Sequence, residues 1–156
     1  MSIEIIRPTI ADIPAMREIV SVEVKNGIIL ERSEDEMANA IRSYHLARDS
    51  QSGEITGFCA LYIYSKSLAE VRSLVVKESF RSKGIGSSLI QSALEEGKNL
   101  GLKEILTLTY RAHLFQRLGF VIIEKSFLPN HKIWADCIKC KHFPICDEIA
   151  LINKLS

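Results

Sequence analysis

One stretch, Ala69 to Leu100 (AEVRSLVVKESFRSKGIGSSLIQSALEEGKNL), constrains the fold of this chain more than any other. Val71, Leu74, Val75 and Val76 form an apolar, β-branched run of strand length, whereas Ile85, Leu89, Ile90, Ala93 and Leu94 recur at helical spacing. Between them, Arg81-Ser82-Lys83-Gly84-Ile85-Gly86-Ser87-Ser88 puts two glycines where the helix begins. The first turn of a helix carries unpaired N–H groups and a partial positive charge. A backbone free of side chains at that point lets an anion approach closely, so the turn reads as a cradle for a phosphate or pyrophosphate.

Spacing separates the phosphate-binding patterns. A P-loop ends its glycines with Gly-Lys-Ser/Thr, but here Lys83 precedes them. A dinucleotide fingerprint needs a third Gly or Ala three residues after Gly86, where this chain has Leu89. A glycine turn that merely joins strand to helix is the ordinary alternative. The segment resembles the Arg/Gln-x-x-Gly-x-Gly/Ala signature of the GNAT superfamily of acyl-CoA N-acyltransferases. That resemblance implies that Arg81, Ser82, Lys83, Gly84, Ile85, Gly86, Ser87 and Ser88 hold the pyrophosphate of acetyl-CoA, mostly through backbone donors from Lys83 onward. It also implies that backbone N–H groups of the preceding strand, at Leu74, Val75 and Val76, hold the thioester and its carbonyl.

At 156 residues the chain has the size of one ordinary domain. A net charge of +1 provides no field for nucleic acid or an anionic membrane. The longest apolar run, Phe58 to Tyr64, is seven residues, far short of the ~20 a membrane helix needs. Met1 to Pro8 carries Glu4 and Arg7 and no signal-peptide pattern. A soluble cytoplasmic protein is the expectation.

In chain order, Ile3 to Ile6 predicts a strand, and Pro8-Thr9 leads into a helix with Thr9 or Asp12 near its cap. Ile13, Met16, Ile19 or Val20, and Val24 give that helix one apolar stripe, interrupted at Gly27. Ser33 and Glu36 form a capping box that opens a second helix through Met37, Ala40, Ile41 and Tyr44. Leu46 to Gln51 and Ile55 to Ser65 flank Ser52-Gly53-Glu54 as an antiparallel hairpin. After the organising stretch, Gly101 ends the helix, Glu104 to Thr109 is a strand, Arg111 to Leu118 a short helix, and Phe120 to Lys125 a strand. The expected order is β-α-α-β-β-β-α-β-α-β.

That order matches the GNAT fold, an α/β (α+β) architecture with a mixed, mostly antiparallel central sheet flanked by helices. Ala112 to Phe120, AHLFQRLGF, resembles its second recurring segment, a helix ending in Leu-Gly-Phe, which implies that Phe115 lies beside the coenzyme. The tail from Leu128 to Glu148 resembles the C-terminal signature of short, single-domain bacterial N-acetylglutamate synthases. Ile29 to Ser33, Ala69 to Leu74 and Leu108 to Tyr110 agree with that subfamily. A single domain over residues 1–156 with a cysteine-containing extension over 128–156 is expected, and a homodimer by analogy with the fold.

Moving acetyl from a thioester to an amine by direct attack requires a deprotonated amine, a polarised carbonyl and a proton for the departing thiolate. Glu70 is the candidate base, on the strand before the coenzyme turn; the ordinary alternative pairs it with Arg72 on the same strand face. Many family members place a Tyr where this chain has Phe115, so Tyr110 is the candidate acid. Departure of the thiolate without an acid is the other reading, since a thiol is a good leaving group near neutral pH. Two carboxylates on a glutamate call for cationic partners. Arg32, Arg72 and Lys132 are the candidates in that order, with Arg7 a weaker fourth.

Cys137 and Cys140 form one C-x-x-C, with Cys146, His131 and His142 nearby. Three cysteines and a histidine suit zinc, but a structural zinc site pairs two such clusters. Reduced thiols or a redox pair are the favoured readings. Cys59 belongs to the core.

Overall fold

The computed structural model describes residues 2–128 and 148–155. These residues build a seven-stranded sheet from β1 (Ile3–Ile6), β2 (Tyr44–Asp49), β3 (Ile55–Ile63), β4 (Leu68–Val76), β5 (Glu104–Thr109), β6 (Val121–Ile123) and β7 (Ile149–Lys154). Their spatial order is β1-β2-β3-β4-β5-β7-β6. Every neighbouring pair is antiparallel except β4 with β5. The helices are α1 (Ile13–Lys25), α2 (Glu34–Asn39), α3 (Ile85–Asn99) and α4 (Ala112–Gln116). None is long and apolar enough to cross a membrane.

Alternation along the strands divides the core into two layers. Cys59, Leu61, Ala69, Val71 and Ile105 face α3 and α4, meeting Leu89, Ile90 and Phe115. Tyr44, Leu46, Phe58, Ala60 and Val75 face α1 and α2, meeting Ile13, Met16, Val20 and Met37. Burying each large side chain stabilises the fold by about 1.5–3 kcal/mol relative to leaving it in water.

Two expectations needed correction. The second helix does not run to Tyr44: it ends at Asn39, a 3-10 turn spans Ile41–Ser43, and Tyr44 opens β2. Met37, Ala40 or Ile41 and Tyr44 satisfy helical spacing, but Tyr44 and Leu46 also alternate with His45 and Ala47 across a strand buried on both faces. Pairing with both β1 and β3 decides for the strand. The C-terminal extension likewise ends in β7, which inserts between β5 and β6. The capping box of Ser33 and Glu36 and the strand Glu104–Thr109 stand where the sequence places them.

The α3 side carries a polar network with a pH signature. His45 is 3% exposed; its Nε2 lies 2.8 Å from Glu96 Oε1 and its Nδ1 2.7 Å from Ser92 Oγ. A carboxylate only accepts, so the imidazole proton sits on Nε2 and Nδ1 accepts from the Ser92 hydroxyl. Arg7 binds the other Glu96 oxygen and also donates to the carbonyls of Arg42 and Tyr44 at 3.1 and 3.0 Å. Burial pushes the His45 pKa below 6.5; Glu96 opposes that shift and Arg7 adds to it.

The unfolded chain therefore takes a proton that the folded chain resists. Stability from His45 is fully present above pH 6.5 and is lost as pH falls from there toward the depressed folded value. Urea unfolding at pH 7.5 and 5.5 should show this loss in the wild type and a smaller one in His45→Gln. Equal pH dependence in the two proteins would exclude His45 as its source.

Candidate active site

β4 is the hinge of the site because it changes partners halfway along. Its parallel register with β5 covers only Leu68↔Glu104, Ala69↔Ile105 and Glu70↔Leu106. The Thr107 hydroxyl then donates to the Val71 carbonyl at 2.9 Å. Beyond that point β4 runs on to Val76 with no strand register to β5, so the sheet splits between them. Against β3, Phe58 meets Val75 while Ala60 meets Arg72, which places an extra residue in β4. Ser73 takes it up with φ of 59°, a β-bulge that re-aims the strand at the split. Backbone donors of β4 facing the split must be met by solvent or a ligand.

The exposed turn after β4 leads to the first turn of α3. Gly84 occupies the N-cap position with φ of 81°, and a Cβ built there meets nothing within 4 Å. A Cβ on Gly86 would lie 3.4 Å from Leu114 Cδ2, an ordinary contact. Unpaired N–H groups at the start of α3 and space in front of Gly84 suit an anion. Lys83, Ser82 and Ser88 are exposed there, Ser87 partly so, and Ile85 is buried.

Arg81 performs a different task in this structure. Its Nε donates to the Val76 carbonyl at 3.0 Å and its Nη2 to Glu23 Oε1 at 2.8 Å. The guanidinium thus ties the turn to the end of β4 and to α1. Glu23 Oε2 is buried with no hydrogen-bond partner among the described residues.

Glu70 is 1% exposed and stands at the last paired position before the split. The Tyr64 hydroxyl donates to Glu70 Oε1 at 2.7 Å. Tyr62 sits opposite Glu70 across β3 and β4, and the Arg72 guanidinium lies 3.9 Å from the Tyr62 ring centroid. Strand alternation places Glu70, Arg72, Tyr62 and Tyr64 on the sheet face that carries α1 and α2.

On that face a cleft of about 550 Å³ runs between α1, α2 and the sheet. Arg17, Lys25, Arg32, Tyr44, Phe58 and Ser73 are among its walls. It therefore joins the loop around Arg32 to the bulge in β4; Glu18 and Glu31 also line it, whereas Glu70 and Arg72 do not. Burial raises the Tyr44 pKa above 10.0, opposed by the positive charges of Arg32 and Arg72. Glu70 and Arg72 thus share one sheet face with this cleft, beside the stretch of β4 that has left β5.

The remaining candidates lie apart. Tyr110 follows β5 directly and is 40% exposed. Phe115 is shut in the core, edge to face with Phe120 at 5.1 Å, so its ring presents no open surface. Arg7 is drawn to Glu96 on the α3 side. Lys132, Cys137, Cys140, Cys146, His131 and His142 lie outside the described residues; among the described residues no cluster suits a metal ion.

Sequence reasoning did not single out Tyr44, Tyr64, Ser73, Arg17 or Glu23. Tyr64, six residues from Glu70 across a short hairpin, was open to discovery from strand register. The others meet the site only through tertiary packing.

Comparison with known proteins agrees with this fold. Residues 14–120 match the acetyltransferase (GNAT) family. An uncharacterized N-acetyltransferase of Chlorobaculum tepidum is 38% identical over 94% of this chain and 92% of its own length. An amino-acid acetyltransferase of Pasteurella multocida is 30% identical over 80% of this chain, which spans only 28% of that longer protein. The fold superposes with a TM-score of 0.87 on N-acetylglutamate synthase from Neisseria gonorrhoeae, complexed with coenzyme A and N-acetyl-glutamate. That match is 19% identical and covers 100% of this chain and 36% of the other.

Proposed function

The chain belongs to the acetyltransferase (GNAT) family, and from that premise we propose that it moves acetyl from acetyl-CoA to the α-amino group of L-glutamate, a reaction of arginine biosynthesis. The observation that carries the reading is Glu70, buried at the point where β4 leaves β5 and on the same sheet face as the cleft lined by Arg17 and Arg32. The amino-acid acetyltransferases among its relatives support an amino-acid acceptor.

In this reading the α3 turn takes the pyrophosphate and β4 backbone donors hold the thioester carbonyl. The acceptor enters through the cleft with its carboxylates toward Arg32 and Arg72. Glu70, directly or through one water, removes the ammonium proton so that the amine can attack. The C–N bond forms, the C–S bond breaks, and the thiolate leaves with a proton from Tyr110 or from solvent.

The test is CoA release from acetyl-CoA across free amino acids, polyamines and short peptides, with product mass confirmed. Saturable turnover confined to glutamate is expected. Preference for another amine would discard the acceptor while keeping the coenzyme site.

A further inference from the structure

The floor of the acceptor cleft holds a polar group with no task in the fold. Tyr44 is 4% exposed, its ring set edge to face against Phe58 at 5.7 Å. Every other requirement of its ring is met by packing with Met16, Met37 and Leu46 in the same cluster. Its hydroxyl has no hydrogen-bond partner among the described residues, yet it is not sealed away as Glu23 Oε2 is. A Tyr hydroxyl in a core normally finds a partner, and this one, accessible on a residue otherwise packed away, is open to one in the cleft.

Position gives the hydroxyl its use. Tyr44 lines the cleft together with Arg32, and its phenol feels the charges of both Arg32 and Arg72. Glu36 is the acidic group that faces it. The cleft walls carry Arg17, Lys25 and Arg32 against Glu18 and Glu31, and an uncharged O–H on the same walls as Arg32 adds a donor suited to a carboxylate.

We propose that the Tyr44 hydroxyl is a specificity-determining donor that, together with Arg32, holds a carboxylate of the acceptor amino acid on the cleft floor. The inference rests on the amino-acid acceptor proposed above, and it deepens that reading by adding a neutral donor to the guanidinium forks. Burial keeps the phenol protonated through the working pH range, so it remains a donor. An amine without a carboxylate would leave this O–H without an acceptor in the cleft, which disfavours it.

Tyr44→Phe removes only the oxygen and retains the ring packing. On the acceptor found best in the panel, the variant should raise the acceptor KM about tenfold to a hundredfold, the range for a hydrogen bond to a charged group. The acetyl-CoA KM and the thermal unfolding midpoint should stay as in the wild type. The same acceptor with its carboxylates amidated one at a time identifies the partner: for one carboxamide, wild type and Tyr44→Phe should differ little.

Unchanged acceptor KM in Tyr44→Phe, with glutamate still turned over, would overturn the Tyr44 assignment and leave the acceptor reading standing. The expected effect on a different carboxylic amino acid would keep Tyr44 and discard glutamate. A fall in kcat at unchanged acceptor KM would overturn the carboxylate role. Preference for amines that have no carboxylate would overturn both.

Discussion

Glu70→Gln is expected to lower kcat by roughly 10²–10⁴, the usual range for a lost general base, while leaving acetyl-CoA affinity intact. The substitution is the same size as the native side chain, and a Gln carbonyl still accepts the Tyr64 hydroxyl that now lies 2.7 Å from Glu70 Oε1. An amide cannot take the ammonium proton. Glu70→Ala is a poorer test, because it leaves a void at a position only 1% exposed and removes the hydrogen bond to the Tyr64 hydroxyl. Raising the pH should narrow the gap between Gln variant and wild type, since the acceptor amine then deprotonates unaided. Steady-state kinetics with calorimetric titration of acetyl-CoA separates the outcomes. Unchanged kcat would remove Glu70 from the mechanism, and lost coenzyme binding would make it a structural residue.

The second large effect is expected at the coenzyme turn. Gly84 holds φ of 81° at the start of α3. An L-residue pays about 1–2 kcal/mol in that conformation, and a β-branched one fits it worst. The space beyond its missing Cβ is open, which is where an anion must come to reach the helix N–H groups. Gly84→Val should therefore raise the acetyl-CoA Kd by at least about tenfold while preserving kcat at saturation. Gly84→Asn relieves much of the backbone strain, since Asn tolerates the left-handed region, and separates strain from obstruction. Gly86→Val should act less strongly on the backbone, because Gly86 is an ordinary helical residue whose Cβ would meet only Leu114 and Val76 side chains. Coenzyme affinity unchanged in Gly84→Val and Gly86→Val alike would refute the cradle.

Arg81 shows why a motif and a contact are different kinds of statement. The motif places an arginine three residues before Gly84, and the expectation was a cation beside the pyrophosphate. In the structure that arginine binds Glu23 and the Val76 carbonyl. It ties the end of β4 to α1, at the turn that leads into α3. Its contribution in this structure is to geometry, which leaves the backbone at the start of α3 and the exposed Lys83 as the groups proposed to meet the anion.

What the chain's order alone determined was local. The strand before Gly84, the helix from Ile85, the capping box at Ser33 and the strand Glu104–Thr109 each depend on interactions within about four residues or on a period of two or 3.6. Two short motifs in the right order also identified the family, because glycines at a helix start are tied to one local geometry. Tyr44 marks the limit, since its neighbours satisfy both periods and only pairing with β1 and β3 chooses the strand.

Tertiary structure decided the rest. β7 was unread because its place between β5 and β6 follows from pairing across the sheet rather than from its own short run of Ile149 to Ile152. The split between β4 and β5, the cleft from Arg32 to Ser73 and the Arg81–Glu23 tie join residues far apart in the chain. Arg81 reaches Glu23 across 58 positions and Arg7 reaches Glu96 across 89. Such contacts are set by how the two layers close on the sheet, so no local pattern records which cation lines the cleft and which one braces the fold.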